Sequence, residues 1–246
     1  MTVETLEFIR PDWQAPESIN ALCTTRLGGI SKGGYASLNL ATHVADDSEH
    51  IVTNRRRLTE TLQLPAEPQW LNQTHSTNVV DLDESDIRQA DAAITRNPGS
   101  TAVVLTADCL PVLFCNRQGT EVASAHAGWR GLLNGVLEQT VLKMQSDAAD
   151  ILSWMGPAIG PLKFEVGEEV RQAFILQNKY NDAFFNQNRP EHYLADLYSI
   201  ARLRLKNIGL AHISGGEFCT YTDDHFFSYR KEKMTGRQAS LIYIKK

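Results

Sequence analysis

Residues 101–144 read TAVVLTADCLPVLFCNRQGTEVASAHAGWRGLLNGVLEQTVLKM, and the order of patterns inside this stretch decides the fold class. TAVVL and PVLFC are apolar runs bounded by turn residues, too short for buried helices and so read as strands. EVASAHA is a third segment of β character. Pro111 lacks the N–H that a central ladder needs, so regular pairing breaks at ADCLP and Cys109 is presented at a kink. Beyond Gly128 the period changes. Leu133, Val136, Leu137, Val141 and Met144 recur at helical spacing, which predicts a helix over residues 132–145.

Working outward, ALCTTR, NVVDL, ILSWMG, AHISGG, FFSYR and ASLIYI read as further short strands. Additional helices are predicted near 50–62, 167–178 and 196–208. For the last, Asp196 is an N-cap candidate, Leu197, Ile200, Ala201, Leu205 and Ile208 form the apolar face, and Gly209 is the stop. Strands outnumber helices by about two to one, which argues against a simple doubly wound sheet. The expected class is α+β: mixed sheets packed face to face in an α/β/β/α layering, with the helices outermost. No repeat, low-complexity tract or flexible linker divides the chain, so residues 1–246 are read as a single domain.

The formal net charge of −5 argues against a general nucleic-acid or anionic-membrane surface, because phosphate backbones and acidic lipids draw on clustered positive charge. The short Arg55–Arg56–Arg57 run is assigned to the exposed face of the helix near 50–62. Neither a secretory leader pattern nor an apolar run of membrane length is visible, so the expected location is cytoplasmic. Four cysteines, at 23, 109, 115 and 219, contain no CxxC pair and are too sparse for a disulfide framework, so reduced thiols are expected.

His75, Cys109 and His126 each fall where a strand meets a turn, in QTHSTNVV, LTADCLPVLF and ASAHAGWRG. Two imidazoles and one thiolate suit zinc, and three protein ligands leave a coordination position free for chemistry. Only the fold can bring them together. The plainer alternative is a core cysteine with two hydrogen-bonded histidines.

CTTRLGGIS, SLNLATHVAD, NRRRL, WLNQTHSTNVV, ADAAIT, LTADCLPVLFCN, SAHAGWRGL, MGPAIGPLKFEVGEEV and FFSYRKEKMTGRQAS together resemble the YfiH family, also called the laccase-domain or polyphenol-oxidase family. They occur in order over nearly the whole chain. The resemblance implies that His75, Cys109 and His126 are zinc ligands and that the layered architecture holds. It also implies a purine nucleoside enzyme: phosphorolysis of adenosine, inosine and methylthioadenosine, with adenosine deamination. The chain departs from many members at Ser76, where a glycine often follows the histidine, and at Leu162 and Lys163, where others can carry cysteines.

Deamination needs an activated water and a proton donor; Asp108 is the candidate, with a turn-capping role as the alternative. Phosphorolysis needs an anion seat, for which Arg26 is the first choice, with Gly28, Gly29 and Ser31 offering donors in TTRLGGIS or merely forming a turn. Asn39, Gln73, Arg130 and Arg230 are substrate-binding candidates, each with a structural alternative. Trp129 and Phe227 are candidates for stacking on a purine, or core aromatics. Two rival activities use the same residues. A cysteine hydrolase acting on an amide, such as one in a peptidoglycan precursor, would use Cys109 as nucleophile with His126 or His75 as base. A copper-dependent polyphenol oxidation is at most a side activity, since the chain has no HxH pair and only seven dispersed histidines. Oligomeric state is not legible.

Overall fold

The computed structural model describes residues 5–64 and 66–245. Strands β1 (Phe8–Ile9) and β2 (Ile19–Thr24) precede helix α1 (Ser48–Leu62). Five strands follow in succession: β3 (Val79–Asp81), β4 (Ala92–Thr95), β5 (Thr101–Thr106), β6 (Leu110–Asn116) and β7 (Val122–Ala127). Helices α2 (Trp129–Asn134) and α3 (Val136–Lys143) lead to β8 (Ile151–Met155), β9 (Glu165–Gly167) and α4 (Glu168–Gln177). The chain closes with β10 (Phe185–Arg189), β11 (His192–Ala195), α5 (Leu197–Asn207), β12 (His212–Gly215), α6 (Tyr229–Glu232) and β13 (Gln238–Ile244).

An antiparallel sheet β1-β2-β13-β5 faces a six-stranded sheet β12-β8-β6-β7-β4-β3, which is parallel only at its two edges; β10-β11-β9 forms a small third sheet. Cys23, Val104 and Ile242 from the first large sheet meet Ala93, Leu113, Val122 and Trp154 from the second in one buried layer. The outer face of the four-stranded sheet packs Leu22, Val103 and Leu241 against Leu58 of α1 and the loop residues Leu38 and Leu40. The outer face of the six-stranded sheet is covered by α2, α3, α4 and α5 through Leu132, Val136, Val170, Phe174 and Ile200. The α/β/β/α layering and the α+β class are therefore as the sequence implies.

Because β6 is covered on both faces, its seven residues are all buried, which is why LPVLFC reads as a continuous apolar run with no alternation. Pro111 sits at the start of this central strand, opposite His126, before pairing with β8 begins at Val112. Asp196 caps α5 by accepting from Ser199 N, and Gly209 follows the helix at φ +97°. The single helix expected over 132–145 is instead two: Gly135, at φ +97°, breaks α2 from α3 and ends the first turn-and-a-half. FFSYR is not a strand. Phe226 and Phe227 are buried loop residues, and Tyr229–Glu232 forms α6. Within the arginine run, Arg56 is exposed as expected, whereas Arg55 lies over the Trp70 ring at 4.1 Å and donates to Leu40 O.

Candidate metal centre

β5 ends in one large sheet and β6 begins in the other, so Ala107, Asp108 and Cys109 must cross between layers. Asp108 does so at φ +89°, a backbone conformation that costs a non-glycine residue roughly 1–3 kcal/mol and persists only where the surroundings impose it. They do: its carboxylate accepts from Thr220 Oγ1 at 2.7 Å and from Arg230 N at 2.6 Å, while its carbonyl accepts from Ile159 N at 2.9 Å. Cys109 is held at the turn exit. His126, near the end of β7, is the buried ligand candidate. His75, at φ +61° in the loop before β3, is the exposed one.

The three donor atoms lie within 4.8 Å of one another, and Cys109 Sγ is 3.9 Å from His75 Nε2. A zinc ion with ligands at ordinary bond lengths and tetrahedral angles places sulfur and imidazole nitrogen about 3.6 Å apart, so the donor set fits this metal with little movement. Gly128 makes the approach feasible. A Cβ there would stand 2.8 Å from His75 Cδ2 and 3.1 Å from Cys109 Sγ. Among the described residues this is the one such cluster of His, Cys, Asp or Glu.

Asp91 organises the centre and was not singled out from the sequence. Fully buried ahead of β4, its carboxylate accepts from the backbone N–H groups of Thr74, His75 and Ser76 at 3.1, 3.0 and 2.6 Å, and from Ser76 Oγ at 2.7 Å. Ser76 thus supplies a further tie to the loop. His126 Nδ1 donates to Asp91 Oδ1 at 2.8 Å, which leaves Nε2 facing the cluster. Burial tends to raise the Asp91 carboxyl, but the bonds from His126 and Ser76 outweigh it and hold it well below the usual range. Burial likewise tends to raise the Cys109 thiol, yet the adjacent His126 and His75 bring it down to about 6. His126 is the converse: burial opposes its charge, and Cys109 and Asp91 push it up to about 9. The sequence signal for Asp91 was available, a lone charge heading the all-buried strand AAIT.

The cluster forms the floor of a cavity of about 390 Å³ also walled by Gln73, His43, Tyr229 and Arg237. Gln73 lines the cavity, with both ends of its amide taken by the backbone of Leu105, at 2.8 and 2.7 Å. Several candidates are elsewhere. Arg26 donates to Glu232 and to Ala36 O, both at 2.8 Å, under the Phe227 ring. The Gly29 N–H is taken by Ser37 Oγ, the Ile30 N–H by Asn54 Oδ1 and the Ser31 hydroxyl by Asp46, so these donors of TTRLGGIS are already spent. Asn39 is buried, donating to Asp46 and Ala41 O and accepting from Arg237 N at 3.0 Å. Arg130 is exposed and stacked on Trp129, itself half-buried against the core. Arg230 contacts Glu165 O and the Phe164 ring, and Phe227 is buried. His43, Tyr229 and Arg237 were missed, although all lie inside motifs that the sequence reading quoted.

Comparison with known proteins gives a consistent picture. The model of the family described as "Multi-copper polyphenol oxidoreductase laccase" matches residues 20–245. "Purine nucleoside phosphorylase YfiH" of Escherichia coli is 49% identical over 97% of this chain and 99% of its own length. A Pseudomonas aeruginosa protein named as a purine nucleoside phosphorylase is 48% identical over 96% of this chain and 98% of its own. The crystal structure of a Neisseria meningitidis protein superposes with a TM-score of 0.94 at 45% identity, covering 97% of this chain and 99% of that one.

Proposed function

Since the chain belongs to the multi-copper polyphenol oxidoreductase laccase family, we propose that it is a zinc-dependent purine nucleoside phosphorylase. The observation that carries this reading is the open His75/Cys109/His126 cluster at the floor of a cavity large enough for a nucleoside. Relatives that share nearly the full chain bear the phosphorylase name.

A bound zinc would supply Lewis acidity at its open position. The rest falls to the chain. Asp91 fixes His126 and the His75 loop, so the ligands are pre-oriented before any metal arrives. Tyr229, about half exposed at the mouth, presents an aromatic face against which a purine can lie. The reading extends to adenosine, inosine and methylthioadenosine as substrates and to adenosine deamination at the same site. It places a single-domain enzyme in the cytoplasm, with no nucleic-acid or membrane partner; no helix among the described residues is long and apolar enough to cross a membrane.

One observation favours a second reading. Cys109, His126 and Asp91 form a thiolate, imidazole and carboxylate relay, the arrangement of a cysteine hydrolase acting on an amide, as in a peptidoglycan precursor. Copper-dependent polyphenol oxidation remains only a side activity on this reading, because one three-ligand cluster is what the described residues provide. Product analysis separates the activities. Purified protein incubated with adenosine or inosine should release free base and ribose 1-phosphate only when phosphate is present. No conversion of any nucleoside, together with acylation of Cys109 by an amide substrate, would overturn the phosphorylase reading.

A further inference from the structure

Arg237 stands in an environment that answers only part of its guanidinium. It walls the cavity beside the cluster. Its backbone is pinned, N donating to buried Asn39 Oδ1 at 3.0 Å and O accepting from Leu40 N. Its Nη1 donates to Thr235 O and Gly236 O, both at 2.9 Å, which fixes the plane of the guanidinium. Tyr229 lies alongside, its ring centroid 5.8 Å away. The Nε and Nη2 donors find no partner among the described residues, and no carboxylate there is within ion-pair distance. A half-buried guanidinium with a free two-nitrogen edge, influenced by the charges of Cys109 and Asp108 but with no carboxylate at ion-pair distance among the described residues, is costly to keep unless an anion completes it.

A nucleoside is neutral and gives no reason for a full positive charge; its co-substrate in phosphorolysis is a dianion. We propose that Arg237 is the seat of inorganic phosphate, gripping two of its oxygens through Nε and Nη2 against the open face of the His75/Cys109/His126 cluster. The assignment rests on the phosphorylase reading above and moves the anion site from Arg26, whose own donors are spent on Glu232 and Ala36. Arg26 becomes a positioning residue, clamping through Glu232 the segment that carries Tyr229 and Arg237. The chemistry balances: a phosphate oxygen of HPO4²⁻ forms a bond to C1′ of the ribose. The glycosidic C1′–N9 bond breaks with its electron pair going to the base, and the phosphate proton ends on that nitrogen. His43, which burial and then the charge of Arg237 hold to its neutral form, adds a hydrogen-bonding wall without competing charge.

The test is phosphate titration by calorimetry on metal-loaded wild type, Arg237→Gln and Arg237→Lys, with KM for phosphate measured against KM for inosine. Loss of a charge-assisted bidentate contact should weaken phosphate binding and raise its KM roughly ten- to a hundredfold in the Gln variant. Inosine KM, metal content and melting temperature should stay near wild type. The Lys variant should fall between the two, since a compact ammonium attracts phosphate but cannot match the fork. If Gln melts early, the Lys variant decides, and an unchanged phosphate KM in it overturns the assignment. Wild type that needs phosphate while Arg237→Gln keeps its phosphate KM would sink the Arg237 seat and leave the phosphorylase reading standing. Wild type that neither binds phosphate nor forms a sugar phosphate would remove both.

Discussion

At the level of single residues, the centre is a cysteine and a histidine that favour each other's charged forms, with Asp91 holding the histidine. The Cys109 thiol, brought down to about 6 by His126 and His75, and the His126 imidazole, pushed up to about 9 by Cys109 and Asp91, favour the charged pair at pH 7.5 in the metal-free protein. Zinc requires the thiolate and a neutral imidazole. Metal uptake should therefore release about one proton, from His126, and apparent affinity should rise about tenfold per pH unit between those two values, more steeply below the lower one. Calorimetry in buffers of different ionisation heat counts that proton directly; release of none would show that Cys109 and His126 share no proton at this pH, contrary to the raised imidazole. Asp91→Asn should cost roughly ten- to a hundredfold in zinc affinity through the lost orientation of His126 and the His75 loop, read by competition with a chelator. Gly128→Ala should be worse for the metal than for the fold, since its Cβ would press on His75 and Cys109 and not on the core. The sequence pointed to His75, Cys109 and His126 through their places at strand ends and the family resemblance, and the structure brings the three together. Arg26 was singled out beside a glycine pair, and in the structure it donates to Glu232 and Ala36 O. Gly29 is there for a different reason: any Cβ would stand 2.0 Å from Ser37 O.

Among the elements, short apolar strands were readable because β6, β7 and β13 are buried along their whole length, and α5 because Asp196 and Gly209 bracket its apolar face. What pattern could not supply was Gly135. Its neighbours keep helical periodicity straight through the break, and only the φ of +97° separates α2 from α3. Gly135→Ala should cost on the order of 1 kcal/mol, since alanine is strained at positive φ, and thermal melting would detect it; a gain in stability would mean that the break relaxes into one continuous helix. FFSYR read as a strand because its aromatics are buried. They are buried by a loop, and the segment turns into α6 to deliver Tyr229 to the cavity.

Across the whole molecule, the two sheets enclose an apolar layer and the site opens where the chain crosses between them. Burial pushes the Cys23 and Cys115 thiols up to about 12, and both sit in the layer between the sheets. Brief iodoacetamide treatment of native metal-free protein should label Cys109 and spare those two until unfolding, with mass spectrometry of peptides as the readout. Labelling of Cys115 in native protein would contradict the sealed interior. The layering was legible from strand count and helix placement, whereas the cavity was not, because His43, Cys109 and Arg237 come together only through tertiary contacts that no local period encodes. Stepwise return of zinc to metal-free protein, following phosphate-dependent base release from inosine, tests the central claim most directly. Activity should climb in proportion to zinc, level off at about one ion per chain and be absent in Cys109→Ala; full activity in zinc-free protein, or a variant that loses zinc yet turns over normally, would contradict it.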